Sequence, residues 1–242
     1  MRSRSDHWAS ELSILAKLGA PVALSQLAII GMSTTDVLLA GQAGTLELAG
    51  LSLGSNVWNA IILFFFGIGA ITQALVGFHY GSQDYRAIGE QLCQSLWMTA
   101  ACGIVGTLCV VFGAQAILLI DFEPMMADRA RDYLLAIAWG ALPMTVIPAL
   151  RGSLEGMQLT RSVLWVNVAA FLINIPLDYA LIHGYWGFPQ LGAVGCAWAT
   201  ALLLWLSVLA YALLLHAHPL IKSRRLYRYF GRPDKAVILK TF

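Results

Sequence analysis

Residues 161–182 read RSVLWVNVAAFLINIPLDYALI, and this stretch decides the class of the protein. Its interior is apolar except for Asn167, Asn174 and Asp178. The hydrocarbon core of a bilayer is about 30 Å thick, so a helix needs roughly 20 consecutive apolar residues to cross it. The stretch therefore predicts a transmembrane helix that carries a carboxylate within the membrane.

The rest of the chain has the same character. Of its 242 residues, 59% are hydrophobic and 12% charged, whereas soluble domains contain about 25% charged residues. Long uninterrupted apolar segments favour helices over barrel strands. We predict an all-α integral membrane protein, a bundle of six transmembrane helices in residues 1–217. The predicted spans are about 18–41, 50–78, 92–120, 132–150, 161–182 and 192–217, with connections of about 7–14 residues.

Basic residues predict how the chain is oriented, because cytoplasmic loops retain Lys and Arg near the ends of spans. Thirteen of the 15 basic residues fall on one predicted side, and only Arg129 and Arg131 fall on the other. We therefore expect both termini to be cytoplasmic in a bacterial-type inner membrane. Residues 218–242 carry seven of the basic residues and are predicted to be a cytoplasmic linker. The net charge of +2 reflects this topology and indicates no nucleic-acid partner.

Two acidic residues lie well inside the apolar stretches, Asp36 in the first span and Asp178 in the fifth. The other 11 acidic residues fall in tails, connections or span ends. A carboxylate near the bilayer centre costs about 2.5–3.5 kcal/mol on insertion scales and usually marks the handling of an ion or a substrate. Two such carboxylates on different helices predict one shared polar site.

The fifth span adds two asparagines to its aspartate. At 100° per residue, Asn167, Asn174 and Asp178 fall within about 40° of one helix face. Pro176 lies between the last two and is predicted to kink the helix beside the carboxylate. Carbonyls freed in this way can help to hold a small cation, as broken helices do in transporters. The alternative for each asparagine alone is a hydrogen bond that joins two helices.

The first span also contains several polar residues. Ser25, Ser33 and Asp36 share one helix face, and Pro21 predicts a kink near the cytoplasmic end. Gln26 is a further candidate for the site. For most serines and threonines of this span we expect a hydrogen bond back to a preceding carbonyl. Asp36 has no such local partner.

Other chemistries find little support in the sequence. The four cysteines have no paired spacing and the five histidines no metal-ligand spacing. No phosphate-binding loop is present, so transport driven by ATP would need another subunit. An intramembrane aspartyl protease would use two membrane aspartates, but it needs Tyr-Asp and Gly-x-Gly-Asp contexts. Because these acids stand in TTDV and PLDY, we do not predict an enzyme.

Several short motifs recur along the chain in a recognisable order. In the first span and loop these are Pro21, Gln26, Asp36 and Gly41, followed by Leu48 and Ala49. Further along stand GIGAITQ (67–73), YGSQD (80–84), RGSLEG (151–156), NIPLDY (174–179) and GFPQLGAVGCAWAT (187–200). In their order and spacing across residues 10–215, these motifs resemble the multidrug and toxic compound extrusion (MATE) transporters, and in particular their NorM-like branch.

This resemblance implies secondary antiport, in which a lipophilic and often cationic compound leaves while H⁺ or Na⁺ enters. It implies two six-helix lobes around a central cavity and no cofactor beyond the coupling ion. Carried over by motif, the ion-coupling and substrate-binding residues are Asp36, Asn174, Asp178 and Thr200. Asp36, Asn174 and Asp178 are also predicted by burial and spacing, and these three would form the site if the coupling ion is Na⁺. Thr200 rests on the resemblance.

The chain matches only the first lobe, since family members are about twice as long. Besides membrane lipids and small molecules, a second six-helix lobe is therefore an expected partner, in the same polypeptide or in a homodimer. A non-transporting half-length fragment or a partner-dependent half-transporter remains an alternative. A flippase of lipid-linked oligosaccharides is a weaker one, because its cavity usually needs Arg or Lys residues that these spans lack.

Overall fold

A computed structural model describes residues 4–217, with side chains for residues 15–63 and 71–217. The predicted linker at 218–242 lies outside the described residues. The helices are α1 (Arg4–Ala43), α2 (Thr45–Gly81), α3 (Tyr85–Ala116), α4 (Pro124–Ile137), α5 (Ala141–Gly156), α6 (Thr160–His183) and α7 (Ala193–Ala217). Short 3₁₀ turns follow α3, α4 and α6.

Six helical segments of the described part are long and apolar enough to cross a membrane. This confirms the predicted fold class. The helices extend beyond the apolar stretches, so three of the five connections are shorter than the 7–14 residues predicted, whereas those at 117–123 and 184–192 have seven and nine residues. Gly44 alone separates α1 from α2, and three residues each connect α2 to α3 and α5 to α6. Consecutive spans are therefore antiparallel neighbours.

The fourth span is not one helix. It consists of α4 and α5, joined by a 3₁₀ turn at Ala138–Gly140. Pro143 has no N–H to donate to the carbonyl of Trp139, four residues earlier. The indole Nε1 of Trp205 on α7 donates to that carbonyl instead, at 3.0 Å. The proline thus breaks the regular helix, and a neighbouring helix satisfies the backbone group that it leaves.

Small side chains fill the interior of the bundle and large apolar ones cover its outside. The fully buried residues include many alanines, at positions 40, 114, 130, 141, 193, 197 and 199. Leu63, Phe112 and Trp165 are each about 70% exposed. This distribution suits a bilayer, because lipid solvates large apolar groups while small residues allow helices to approach one another.

Three helices, α1, α6 and α7, carry most of the polar residues that the sequence selected. α1 packs mainly along α6, and α6 also packs against α7. Gly31 of α1 lies so close to α6 that an added Cβ would come within 2.9 Å of the Phe171 ring. A Cβ on Gly195 of α7 would come within 2.8 Å of the Leu181 backbone. These glycines allow the three helices to meet closely enough for short polar side chains to touch.

The two ends of the bundle are named by their charge. The basic end contains the 82–84 and 157–159 connections, the end of α7, and Arg86, Arg151 and Arg161. The opposite end contains Gly44, the 117–123 and 184–192 connections, and Arg129 and Arg131.

Candidate functional site

Side chains from α1, α6 and α7 meet in the half of the bundle nearer the opposite end. Asn174 Nδ2 donates to Asp36 Oδ1 at 3.3 Å, and Thr200 Oγ1 donates to Asp36 Oδ2 at 3.4 Å. The carboxyl groups of Asp36 and Asp178 are close enough to interact electrostatically. We call Asp36, Asn174, Asp178 and Thr200 the acid cluster. The structure thus brings together all four residues that the sequence and the resemblance selected.

The acid cluster is buried but incompletely hydrogen-bonded. Asn174 and Asp178 are fully buried, and Asp36 is partly so. Among the described residues, no donor reaches either oxygen of Asp178 or Oδ1 of Asn174. These atoms are all acceptors, and two adjacent carboxylates cannot both remain charged without a counter-charge. The cluster is therefore suited to accept a proton or a small cation.

The donor set indicates which cation would fit. It offers carboxylate, amide and hydroxyl oxygens, which are the ligands of hard cations, and no sulfur or imidazole ligand. The described residues contain no group of three or more His, Cys, Asp or Glu that could hold a metal ion. These oxygen ligands suit a proton or a small hard cation such as Na⁺.

A second polar group lies on the same three helices, nearer the basic end. Tyr211 Oη of α7 donates to Asn167 Oδ1 of α6 at 2.7 Å, and Asn167 Nδ2 donates to Ser25 Oγ of α1. All three side chains are buried. We call them the amide cluster. Because both ends of the Asn167 amide are engaged, this asparagine joins helices, which is the alternative that the sequence left open.

The remaining sequence candidates lie elsewhere. Gln26 is exposed on α1, about 15 Å along the helix from Asp36, and the structure does not bring it into either cluster. α1 and α6 continue as α-helices through Pro21 and Pro176, and the kinks there stay predictions. Ser33, Thr34 and Thr35 each donate to a carbonyl three or four residues earlier, which confirms the expected local bonding.

The sequence reasoning missed a polar group at the opposite end. Glu47, near the start of α2, accepts the Ala193 backbone N–H at 2.7 Å and pairs with Arg129 Nε at 3.2 Å. Its side chain is only 14% exposed. A carboxylate three residues after a loop glycine resembles an ordinary surface residue, so the signal was weak. Tyr211 was missed for a similar reason, since a tyrosine in an apolar span usually packs through its ring.

A buried ion pair at the basic end was also missed. Arg151 Nε and Glu155 Oε1 of α5 are 2.7 Å apart, and the two side chains are 13% and 5% exposed. Their spacing of four residues on one helix was the available signal.

Comparison with known proteins gives a consistent result. A family model described as MatE matches residues 21–180. "Probable multidrug resistance protein NorM" of Idiomarina loihiensis is 34% identical over 227 residues, 93% of this chain and 48% of the relative. "Multidrug resistance protein PmpM" of Pseudomonas aeruginosa is 30% identical, over 95% of this chain and 48% of the relative. "Multidrug resistance protein MdtK" of Pectobacterium atrosepticum is 31% identical, over 96% and 51%.

Solved structures show the same fold. The outward-facing conformation of a multidrug resistance MATE family transporter matches with a TM-score of 0.80 at 20% identity, over 94% of this chain and 49% of that one. The eukaryotic MATE transporter AtDTX14 matches with a TM-score of 0.79 at 16% identity, over 96% and 50%. The chain spans about half the length of the curated relatives it matches, and its fold corresponds to one lobe of these transporters.

Proposed function

The chain belongs to the MatE family, and we propose that it forms the N-terminal lobe of an ion-coupled exporter of lipophilic, often cationic compounds. Relatives along nearly its whole length are named multidrug resistance proteins, and the solved neighbours are transporters rather than enzymes. The proposed coupling site is the acid cluster, and the proposed coupling ion is H⁺ or Na⁺.

The buried and uncompensated Asp178 carboxyl is the observation that carries this proposal. Neither of its oxygens meets a donor among the described residues, and Asp36 lies beside it. A purely structural polar group inside a membrane normally has its hydrogen bonds satisfied, because each unsatisfied group is costly. A pair that needs an added positive charge is suited to an ion that enters and leaves during a transport cycle.

Competition for the carboxyl groups would couple the two fluxes. A proton or Na⁺ bound between Asp36 and Asp178 neutralises the pair, and its departure leaves two like charges in contact. Asn174 and Thr200 hold Asp36 in place through the bonds described above. The charge state of the pair then determines how α6 and α7 pack on α1. In this way, occupancy by the ion can favour one of two conformations of the lobe.

We propose that the basic end faces the cytoplasm of a bacterial inner membrane, with both termini on that side. A second six-helix lobe would complete the central cavity, either in the same polypeptide or in a second copy of the chain. The alternative proposal is a half-transporter that is active only with a partner lobe. The oligomeric state in detergent, together with the reading frame that follows the codon for Phe242, separates these possibilities.

The test is ion-driven efflux of ethidium, a lipophilic cation, from membrane vesicles or reconstituted proteoliposomes. We expect an imposed H⁺ or Na⁺ gradient to drive efflux by the transporter assembled with its second lobe. Asp178→Asn should abolish this efflux while the protein still inserts into the membrane. Asp128→Asn is the matched control, because Asp128 is exposed at the opposite end. If Asp178→Asn transports ethidium as fast as the Asp128→Asn control, the proposed coupling site is wrong.

A further inference from the structure

A groove of about 610 Å³ runs between α6 and α7 on the outside of the bundle. Its walls are apolar apart from Ser162 and Ser207, and Trp165 stands on its rim with 69% of its surface exposed. No residue of the acid cluster or the amide cluster lines it. The groove therefore belongs to neither polar cluster.

The length of the groove indicates what can occupy it. On α6 its lining extends from Ser162 to Ile173, which at 1.5 Å per residue is about 17 Å. The hydrocarbon core is about 30 Å thick, so the groove covers about one leaflet. It is too short for a helix that crosses the whole membrane, but it suits a chain that enters from one side. Its lining reaches Ala217, so that side is the basic end.

The charge at that end indicates which lipid fits. Arg161 is exposed and precedes Ser162, the first α6 residue of the lining. In the part of the chain that the structure describes, no carboxylate lies within ion-pair distance of Arg161. A guanidinium one residue before the lining of an apolar groove begins can pair with a phosphate whose acyl chain lies in that groove. We propose that the groove binds one acyl chain of an anionic phospholipid, whose headgroup pairs with Arg161.

Native mass spectrometry of the purified full chain tests this proposal. The probes are dioleoyl phosphatidylglycerol and dioleoyl phosphatidylcholine, which share their acyl chains and differ in charge. We expect one phosphatidylglycerol to bind per chain, about fivefold more tightly than phosphatidylcholine, as one basic residue near an anionic surface provides. Arg161→Gln should remove this preference and leave the shared affinity for the acyl chains.

Two further variants locate the binding. Ala169→Phe fills the groove from an exposed lining position and should weaken the binding of both lipids. Arg86→Gln is the charge control, because Arg86 is exposed at the basic end but lies on α3, paired with Glu90. It should retain the preference for phosphatidylglycerol.

Equal binding of the two lipids, or an unchanged preference in Arg161→Gln, would overturn the proposal. A change of oligomeric state in Ala169→Phe with unaltered lipid binding would also overturn it, since a protein surface would then cover the groove. None of these outcomes depends on ethidium transport, so the lipid site and the proposed function can fail separately.

Discussion

The acid cluster and the amide cluster are built on the same three helices, and α6 gives each of them a buried asparagine. Asn167 uses both ends of its amide, since it accepts from Tyr211 and donates to Ser25. Asn174, two turns along the helix, donates to Asp36, but its oxygen meets no donor among the described residues. The two asparagines have similar burial and the same neighbouring helices, yet only Asn167 uses both ends of its amide.

This difference separates two uses of polar groups in a membrane. A closed network such as the amide cluster contributes packing specificity and leaves no group to bind anything else. An open network such as the acid cluster keeps acceptor atoms for a ligand and loses stability in exchange. Changes in the amide cluster should therefore alter stability more than transport, and changes in the acid cluster should do the reverse.

The largest expected effect is on transport, in the single and double replacements of the two acids. If Asp36 and Asp178 hold one ion jointly, Asp36→Asn and Asp178→Asn should each abolish coupled ethidium efflux. The double variant should then be no worse than either single one, because residues that act as a unit are not additive. Initial efflux rates under an imposed ion gradient provide the measurement. Partial losses that multiply in the double variant would show that the two carboxyl groups act independently.

The next effect is on stability, through Tyr211→Phe. This change removes the hydroxyl that donates to Asn167 and leaves a buried amide oxygen unpaired, at a cost of about 1–3 kcal/mol. Thermal unfolding in detergent should show a lower midpoint, while the ion dependence of ethidium efflux should be unchanged. Tyr185→Phe is the control, because Tyr185 is half exposed. A variant with altered ion dependence and normal stability would place Tyr211 in the coupling site.

A smaller effect is expected at Thr200, which only supports the acids. Thr200→Val removes the donor to Asp36 Oδ2, and with it a hydrogen bond that stabilises the charged carboxylate. The apparent affinity for a coupling H⁺ should therefore rise about three- to tenfold, since a net hydrogen bond contributes about 0.5–1.5 kcal/mol. Thr200→Ser keeps the hydroxyl and should behave as the unmodified protein. The ion concentration that gives half-maximal efflux is the quantity to measure. Equal affinities in the two variants would remove Thr200 from the site.

The smallest effect compares two serines of α1. Ser33→Ala should change stability by less than about 0.5 kcal/mol, because the exposed Ser33 hydroxyl only bonds a carbonyl of its own helix. Ser25→Ala removes an acceptor from the amide cluster and should cost about 0.6 kcal/mol, the average for a hydrogen bond between membrane helices. Thermal unfolding of both variants, measured in parallel, gives the two changes in stability to be compared. If Ser33→Ala were the more damaging, our account of the amide cluster would be wrong.

Much of the fold could be predicted from the sequence, because a bilayer imposes length and apolarity on every span. The stripe of Asn167, Asn174 and Asp178 could be found too, since the helical period places the three on one face. The different roles of Asn167 and Asn174 within that stripe could not be predicted. They depend on Tyr211 and Ser25, which lie 44 and 142 positions from Asn167, and no local pattern encodes such pairs.

Other details depended on contacts between distant segments in the same way. Pro143 predicts a disturbed helix, but the donor that stabilises the break comes from Trp205 on another helix. Glu47 follows a loop and has no helical pattern, so its bond to Ala193 became visible only when α2 and α7 were placed side by side. Thr200 was selected only through the resemblance, because a lone threonine in an apolar span usually bonds its own backbone.

The Glu47 carboxylate fastens the starts of α2 and α7 to Arg129 of α4, at the end of the bundle where one glycine already ties α1 to α2. These contacts connect α1, α2, α4 and α7 at the opposite end. A displacement of the 184–192 connection would therefore be passed to α2 and α4 through the Glu47 side chain. It would reach α1 through the backbone at Gly44. Glu47→Gln should weaken this connection and lower the midpoint of thermal unfolding in detergent, because the ion pair with Arg129 is lost while the acid cluster is unchanged.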